Sequence, residues 1–243
     1  MNRILLRPEQ LSSGETAVLS ESQSTHVRRV LKLGLNDTLR IGQLNGPIGH
    51  GRITQLETKR IHIHCAFGET PATSKVDLLL AMPRPKVMKR LWPALASIGL
   101  GRIVITNAAR VERNYFDTQW IDPAFYTPLL IDGLQQSGDT HLPQVQIQMR
   151  LKPFIEDDLA SEFPDAMRIM GDPYDRDAQH RLCPGPEQRI LVAVGPEGGW
   201  DDYECRLLAT HHFHTVSLGW RILRSDTACI SLLTLAHDWS RAT

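Results

Sequence analysis

Two arginines three positions apart, Arg221 and Arg224, stand beside Gly219 and just before an amphipathic helix expected to start near Ser225 as its N-cap. A guanidinium keeps its proton at any working pH, so a pair of them beside a pocket marks an anion or a negative charge that develops during a reaction. The competing reading is that both brace the loop by pairing with nearby carboxylates such as Asp226 or Glu197, and the residues alone leave the two open. A second loop, Gly195-Pro196-Glu197-Gly198-Gly199, closes the apolar run Ile190–Val194. Its glycines can take φ > 0 or let a ligand reach the backbone, and its proline fixes its own φ, so it presents amides rather than side chains. No Gly-Lys-Ser/Thr follows it and no Gly-x-Gly-x-x-Gly is present, which excludes the usual phosphate-cradling and dinucleotide loops. Each half reads as strand, glycine-bearing loop and helix, the way an α/β domain builds a pocket at the carboxyl ends of its strands, and two such loops point to one shared pocket.

The elements that must position these loops follow from periodicity. From Val76 onward buried strands are expected at 78–82, 102–106, 145–149, 166–171, 190–194 and 215–218. A basic helix over 86–98 carries Pro93 as a kink and Gly99 as its stop, and Asp122-Pro123 opens a second that ends near Gly138. Such alternation predicts a mainly parallel sheet covered on both faces. Residues 1–70 instead alternate short β-like runs with turns, including the hairpin signal Asn45-Gly46, and read as a small barrel; residues 71–75 form a linker. A length of 243 residues accommodates both domains, 1–70 and 74–243.

Composition narrows the class. With 42% apolar and 22% charged residues the chain can bury an ordinary core. It has no apolar run of membrane-spanning length and no signal-peptide pattern, so a soluble, cytoplasmic protein without a membrane partner is expected. Cys65, Cys183, Cys205 and Cys229 are too far apart for a zinc site, and His62-x-His64 and His211-His212-x-His214 lack a partner at ligand spacing, so no metal is expected. The formal net charge is zero, yet residues 26–113 hold fifteen Lys or Arg against five acids, while the acidic counterweight falls between Glu156 and Glu204. That polarity is a footprint for a polyanion.

Gly195-Pro-Glu-Gly-Gly199 after a strand, followed by Leu218-Gly-Trp-Arg-Ile-Leu-Arg-Ser-Asp-Thr-Ala228, resembles the signature of the RsmE family, the bacterial ribosomal RNA N3-uridine methyltransferases. The resemblance implies an α/β fold: a SPOUT-type trefoil-knot domain with a mainly parallel sheet, preceded by a PUA-like β-barrel that binds RNA. It implies S-adenosylmethionine as cofactor, held by Gly171, Gly195, Pro196, Glu197, Gly198, Gly199, Leu218, Gly219, Ile222, Leu223 and Thr227, with the Gly171-Asp172-Pro173 turn as a third wall. It implies 16S rRNA or the small ribosomal subunit as partner, and a homodimer whose interface includes the helix over 225–241.

In that chemistry Arg224 would stabilise the negative charge that spreads over uracil as N3 loses its proton, and Arg221 would position the RNA. Asp226 or water would take the proton. Pairing hides uridine N3, so the substrate would be unpaired or flipped out. His26, in the run Thr25-His-Val-Arg-Arg-Val-Leu-Lys32, and the basic residues Arg28, Arg29, Arg84, Lys86 and Arg90 are the expected RNA contacts. The chain departs from the family pattern at Ser97-Ile98-Gly99, at residues 134–139 and at Arg224-Ser-Asp-Thr227, where relatives commonly have Glu-Leu-Gly, Glu-Gln-Ser/Cys-x-Arg and Arg-Thr-Glu-Thr. The rivals are another SPOUT methylation, at ribose 2′-O or guanine N1, and a non-catalytic RNA-binding protein.

Overall fold

The computed structural model describes residues 3–12, 15–172, 174 and 182–241. The chain divides into two compact units, Met1–Ala72 with Ile131–Leu142, and Thr73–Leu130 with Pro143–Thr243.

In the first unit β1 (Ile4–Leu6), β2 (Leu11–Ser12), β3 (Thr16–Val18), β4 (Thr38–Gln43), β5 (Ile48–Leu56) and β6 (Ile61–Phe67) form one sheet in the order β1-β4-β5-β6-β3-β2. Only β1 and β4 are parallel. Side chains alternate as a half-buried sheet requires: Ile61, Ile63 and Cys65 enter the core with Leu6, Val27, Ile41 and Ile53, while His62 and His64 point away from it. Helix α1 (Glu21–His26) begins with a capping box, Ser20 accepting from the Gln23 amide and the Gln23 side chain returning to the Ser20 N–H. It continues through one wide turn, Val27–Leu31, and stops at Lys32 with φ 56°.

Nothing in the strand-helix pattern assigns Ile131–Leu142 to this unit, yet side chains far away in sequence bind it there. Arg3 donates to the carbonyls of Gly138 (3.0 Å) and Ile41 (2.6 Å). Thr140 Oγ1 donates to the Gly46 carbonyl at 2.7 Å, and Asn45 Oδ1 accepts the Leu142 N–H at 2.8 Å.

The second unit runs β7 (Val76–Ala81), α2 (Pro85–Ile98), β8 (Arg102–Thr106), the first half of α3 (Pro123–Ser137), which passes into the first unit at Ile131, then β9 (Gln144–Gln148), α4 (Leu151–Pro153), α5 (Leu159–Glu162), β10 (Met167–Gly171), β11 (Ile190–Val194), α6 (Asp202–Thr210), β12 (Phe213–Val216) and α7 (Ser225–Arg241). Its sheet has the order β12-β10-β11-β7-β8-β9 and every pair in it is parallel. β7 and β11 are buried at every residue, which is why β11 reads as an unbroken apolar run and β7 as one broken only by Asp77.

As expected, α2 contains Pro93 and stops at Gly99, φ 89°. Two details differ from the expectation. The last strand lies two residues earlier than its apolar signal. The Ala228 N–H donates to the Arg224 carbonyl at 2.8 Å, so Arg224 rather than Ser225 is the N-cap of α7.

Asp77 is the charged residue inside β7 and is fully buried. Arg189 meets it with a two-pronged pair, Nε at 2.7 Å and Nη2 at 2.6 Å. Gly101 leaves room for this, since a Cβ there would overlap the guanidinium. Removing one partner of such a pair strands a buried charge at a cost of about 3–5 kcal/mol. Arg189→Met is therefore expected to lower the unfolding free energy in urea by about 3 kcal/mol, and the double variant Asp77→Leu/Arg189→Met to recover most of the loss.

Candidate functional site

Because the six strands of the second unit share one direction, the turns after β7, β11 and β12 leave from the same edge of the sheet. They enclose a cleft of about 330 Å³. α2 and the residue before it supply Arg84, Val87 and Arg90; the glycine turn supplies Glu197; the last turn and the start of α7 supply residues 222–226.

The glycine turn is short and clamped. Pro196 is buried, its carbonyl accepts the Gly199 N–H at 2.8 Å, and Gly199 takes φ 72°. Gly199 alone of the three glycines has positive φ; Gly195 and Gly198 sit in close contact with their neighbours. A Cβ on Gly195 would lie 3.1 Å from the Trp200 amide nitrogen, and one on Gly198 would lie 3.0 Å from Arg110 Cδ.

Arg110 Nη1 donates to the carbonyls of Gly198 (2.5 Å) and Trp200 (3.3 Å). Glu204, buried in α6, accepts the Ala109 N–H at 2.7 Å with one oxygen and the Asp201 N–H at 2.9 Å with the other. Arg110 and Glu204 were not among the expected site residues. Glu204 had a signal, because Asp201-x-x-Glu204 has capping-box spacing. Arg110 had none, since its partners are backbone carbonyls almost ninety positions away. Beside the turn, the buried Trp200 indole N–H has no partner among the described residues.

In the last turn Gly219 takes φ 99°, and its N–H donates to Ser217 Oγ at 3.2 Å. Leu218, Trp220 and Ile222 are exposed there, and the Arg221 guanidinium sits over the Trp220 ring, 4.5 Å from its centroid. Among the described residues neither Arg221 nor Arg224 forms an ion pair. The carboxylates that could have braced them are engaged elsewhere. Asp226 Oδ2 pairs with Arg90 at 3.3 Å and its Oδ1 accepts the Thr227 N–H at 3.0 Å, while Glu197 Oε1 accepts the Arg84 N–H at 3.0 Å. A hydrogen bond to Tyr115, and after it the charge of Glu197, hold the Arg84 guanidinium above its ordinary pKa.

The remaining expected residues are placed as follows. Gly171 ends β10 at the same edge, and a Cβ on it would lie 2.5 Å from Leu232 Cδ1, so α7 packs closely on it. Pro173 lies outside the described residues. Lys86 is exposed on α2 and Thr227 on the first turn of α7. In the first unit His26 is half-buried at the end of α1 and Arg29 is exposed. Arg28, expected as a phosphate contact, donates to the carbonyls of Glu57, Thr58 and Arg60 and so braces the β5–β6 turn.

Comparison with known proteins adds to this geometry. The family model described as an RNA methyltransferase domain matches residues 70–237. Ribosomal RNA small subunit methyltransferase E of Treponema pallidum is 29% identical, over 99% of this chain and 94% of that protein. The crystal structure of ribosomal RNA small subunit methyltransferase E from Neisseria gonorrhoeae, bound to S-adenosyl methionine, superposes with a TM-score of 0.77 at 23% identity, covering 96% of this chain and 95% of that one. A methyltransferase from Legionella pneumophila, solved in complex with the same cofactor, gives 0.74 at 21% identity over 98% of each chain.

The clamp carries a measurable consequence. Glu204→Ala removes a charged acceptor from two backbone donors, each such bond being worth about 1.5–3 kcal/mol. The variant is expected to unfold about 2 kcal/mol more easily in denaturant, and the amides of Ala109 and Asp201 to lose hydrogen-exchange protection.

Proposed function

The chain belongs to the RNA methyltransferase domain family, and on that premise we propose that it transfers a methyl group from S-adenosylmethionine to N3 of an unpaired uridine in 16S rRNA. The observation that carries this reading is Arg224 in the lining of the cleft, with Arg221 in the turn that leads into it and the neighbouring carboxylates committed to other partners. The names of the Treponema and Neisseria relatives, which specify the small ribosomal subunit, support it.

The glycine turn fits a cofactor rich in hydrogen-bond acceptors. A Cβ on Gly195 would crowd the Trp200 amide nitrogen, and the Trp200 indole N–H beside it is buried without a partner among the described residues. Gly195, Pro196, Gly198 and Gly199, with Glu197 at their edge, would hold the cofactor together with Leu218, Gly219, Ile222, Leu223 and Thr227. When bound, S-adenosylmethionine supplies an electrophilic methyl group on a sulfonium.

The chain's own part is electrostatic and positional. Loss of the N3 proton places negative charge on the flanking uracil oxygens, and Arg224, fixed as the N-cap of α7, stabilises it as it forms. Arg221 orients the RNA. Asp226, whose position Arg90 fixes, is the proton acceptor in this reading. Arg84, Lys86 and Arg90 follow the phosphates, joined by His26 and Arg29 from the first unit, with Arg28 as a brace for the β5–β6 turn.

In the same reading the second unit is a SPOUT-type trefoil knot and the first a PUA-like barrel. The working form is a cytoplasmic homodimer with α7 in its interface.

Incubation of the protein with small ribosomal subunits and labelled cofactor, followed by mass spectrometry of the digested rRNA, is expected to yield 3-methyluridine. Label in 2′-O-methylated nucleosides or 1-methylguanosine would instead transfer the site to a rival chemistry. Arg224→Ala is expected to lower methyl transfer about a hundred-fold while cofactor affinity stays near wild type, and undiminished turnover would remove Arg224 from its role.

A further inference from the structure

Trp220 is 80% exposed, whereas Trp92, Trp200 and Trp239 are 0%, 7% and 3% exposed. An indole is among the largest apolar surfaces a chain can bury, so leaving one in solvent beside a reaction cleft forgoes considerable stabilisation. Its surroundings are specific. Gly219, immediately before it, has φ 99° and would place a Cβ in open space, so the ring stands clear of the turn. The Arg221 guanidinium covers one face at 4.5 Å, and the high exposure leaves the other available. Residues 222–226 then run directly into the cleft wall.

We propose that Trp220 is the stacking platform for an unpaired RNA base flanking the methylated nucleotide, with Arg221 backing the ring from its other side. The proposal rests on the RNA methylation reading above and names how that site holds its substrate. A flat partner suits the open ring face, and an anionic one suits Arg221 over the ring and Arg84, Arg90 and Arg224, which outnumber Glu197 and Asp226 in the lining of the adjoining cleft. A strand of unpaired nucleotides has both properties. A second copy of this chain fits less well, because a two-fold contact centred here would set the arginine-rich surface against itself.

Fluorescence reads this position directly, since Trp220 is the most exposed of the five tryptophans and should dominate the long-wavelength emission. Titration of the full chain with decauridylate is expected to quench that component saturably, and a fully paired RNA duplex to quench it far less. Trp220→Phe should lose the quench yet keep most of the affinity. Trp220→Ala should weaken RNA binding about ten-fold or more and raise KM for RNA far more than it lowers kcat, with cofactor affinity unchanged.

Unchanged RNA affinity in Trp220→Ala overturns the proposal. So does wild-type emission that is already blue-shifted, insensitive to the oligonucleotide and dependent on protein concentration, because the ring is then covered by a second copy. If the quench and its loss in Trp220→Phe are observed but no RNA is methylated by the wild type, the platform stands and the methylation reading fails.

Discussion

The clamp on the turn after β11 is the constraint on which the site depends. Glu204 holds the start of α6 and the turn after β8 with its two oxygens, and Arg110 returns from that turn to the carbonyls of Gly198 and Trp200. A loop of three glycines would otherwise sample many conformations, at an entropic cost to any ligand that had to order it. Continuous with β11 at one end and held by Arg110 and Glu204 at the other, it has less freedom to lose. The parallel sheet brings this turn and the arginine turn to the same edge.

Charge partition is the second determinant. The acids near the cleft are engaged by α2: Arg90 takes Asp226, and the Arg84 backbone takes Glu197. Arg221 and Arg224 consequently keep their hydrogen-bonding capacity for whatever enters. On the proposed reading this readies the site for developing negative charge, unlike a surface on which each arginine is neutralised by its nearest carboxylate. The zero net charge of the chain hides that local imbalance.

Much of the second unit was legible because burial on both faces leaves a plain trace. β7, β8, β10 and β11 are near-continuous apolar runs, and the glycines and arginines after β11 and β12 mark the turns that contribute to the cleft. β1, β2 and β3 are two or three residues long and carry too few side chains for any period to show. The grouping of Ile131–Leu142 with the first unit depends on Arg3, Asn45 and Thr140, contacts that no local pattern encodes. Arg28 was indistinguishable in sequence from the exposed Arg29 next to it, and only the positions of three carbonyls separate their roles.

The central claim is that a clamped glycine turn binds the methyl donor. Calorimetric titration of S-adenosylmethionine into the full chain and into Arg110→Ala tests it most directly, because Arg110 holds the turn from its outer side and its removal leaves the glycines in place. The account predicts saturable binding by the wild type and at least about ten-fold weaker binding by a variant that remains folded, the equivalent of about 1.4 kcal/mol. Equal affinity in the two proteins, or no binding by either, would contradict it.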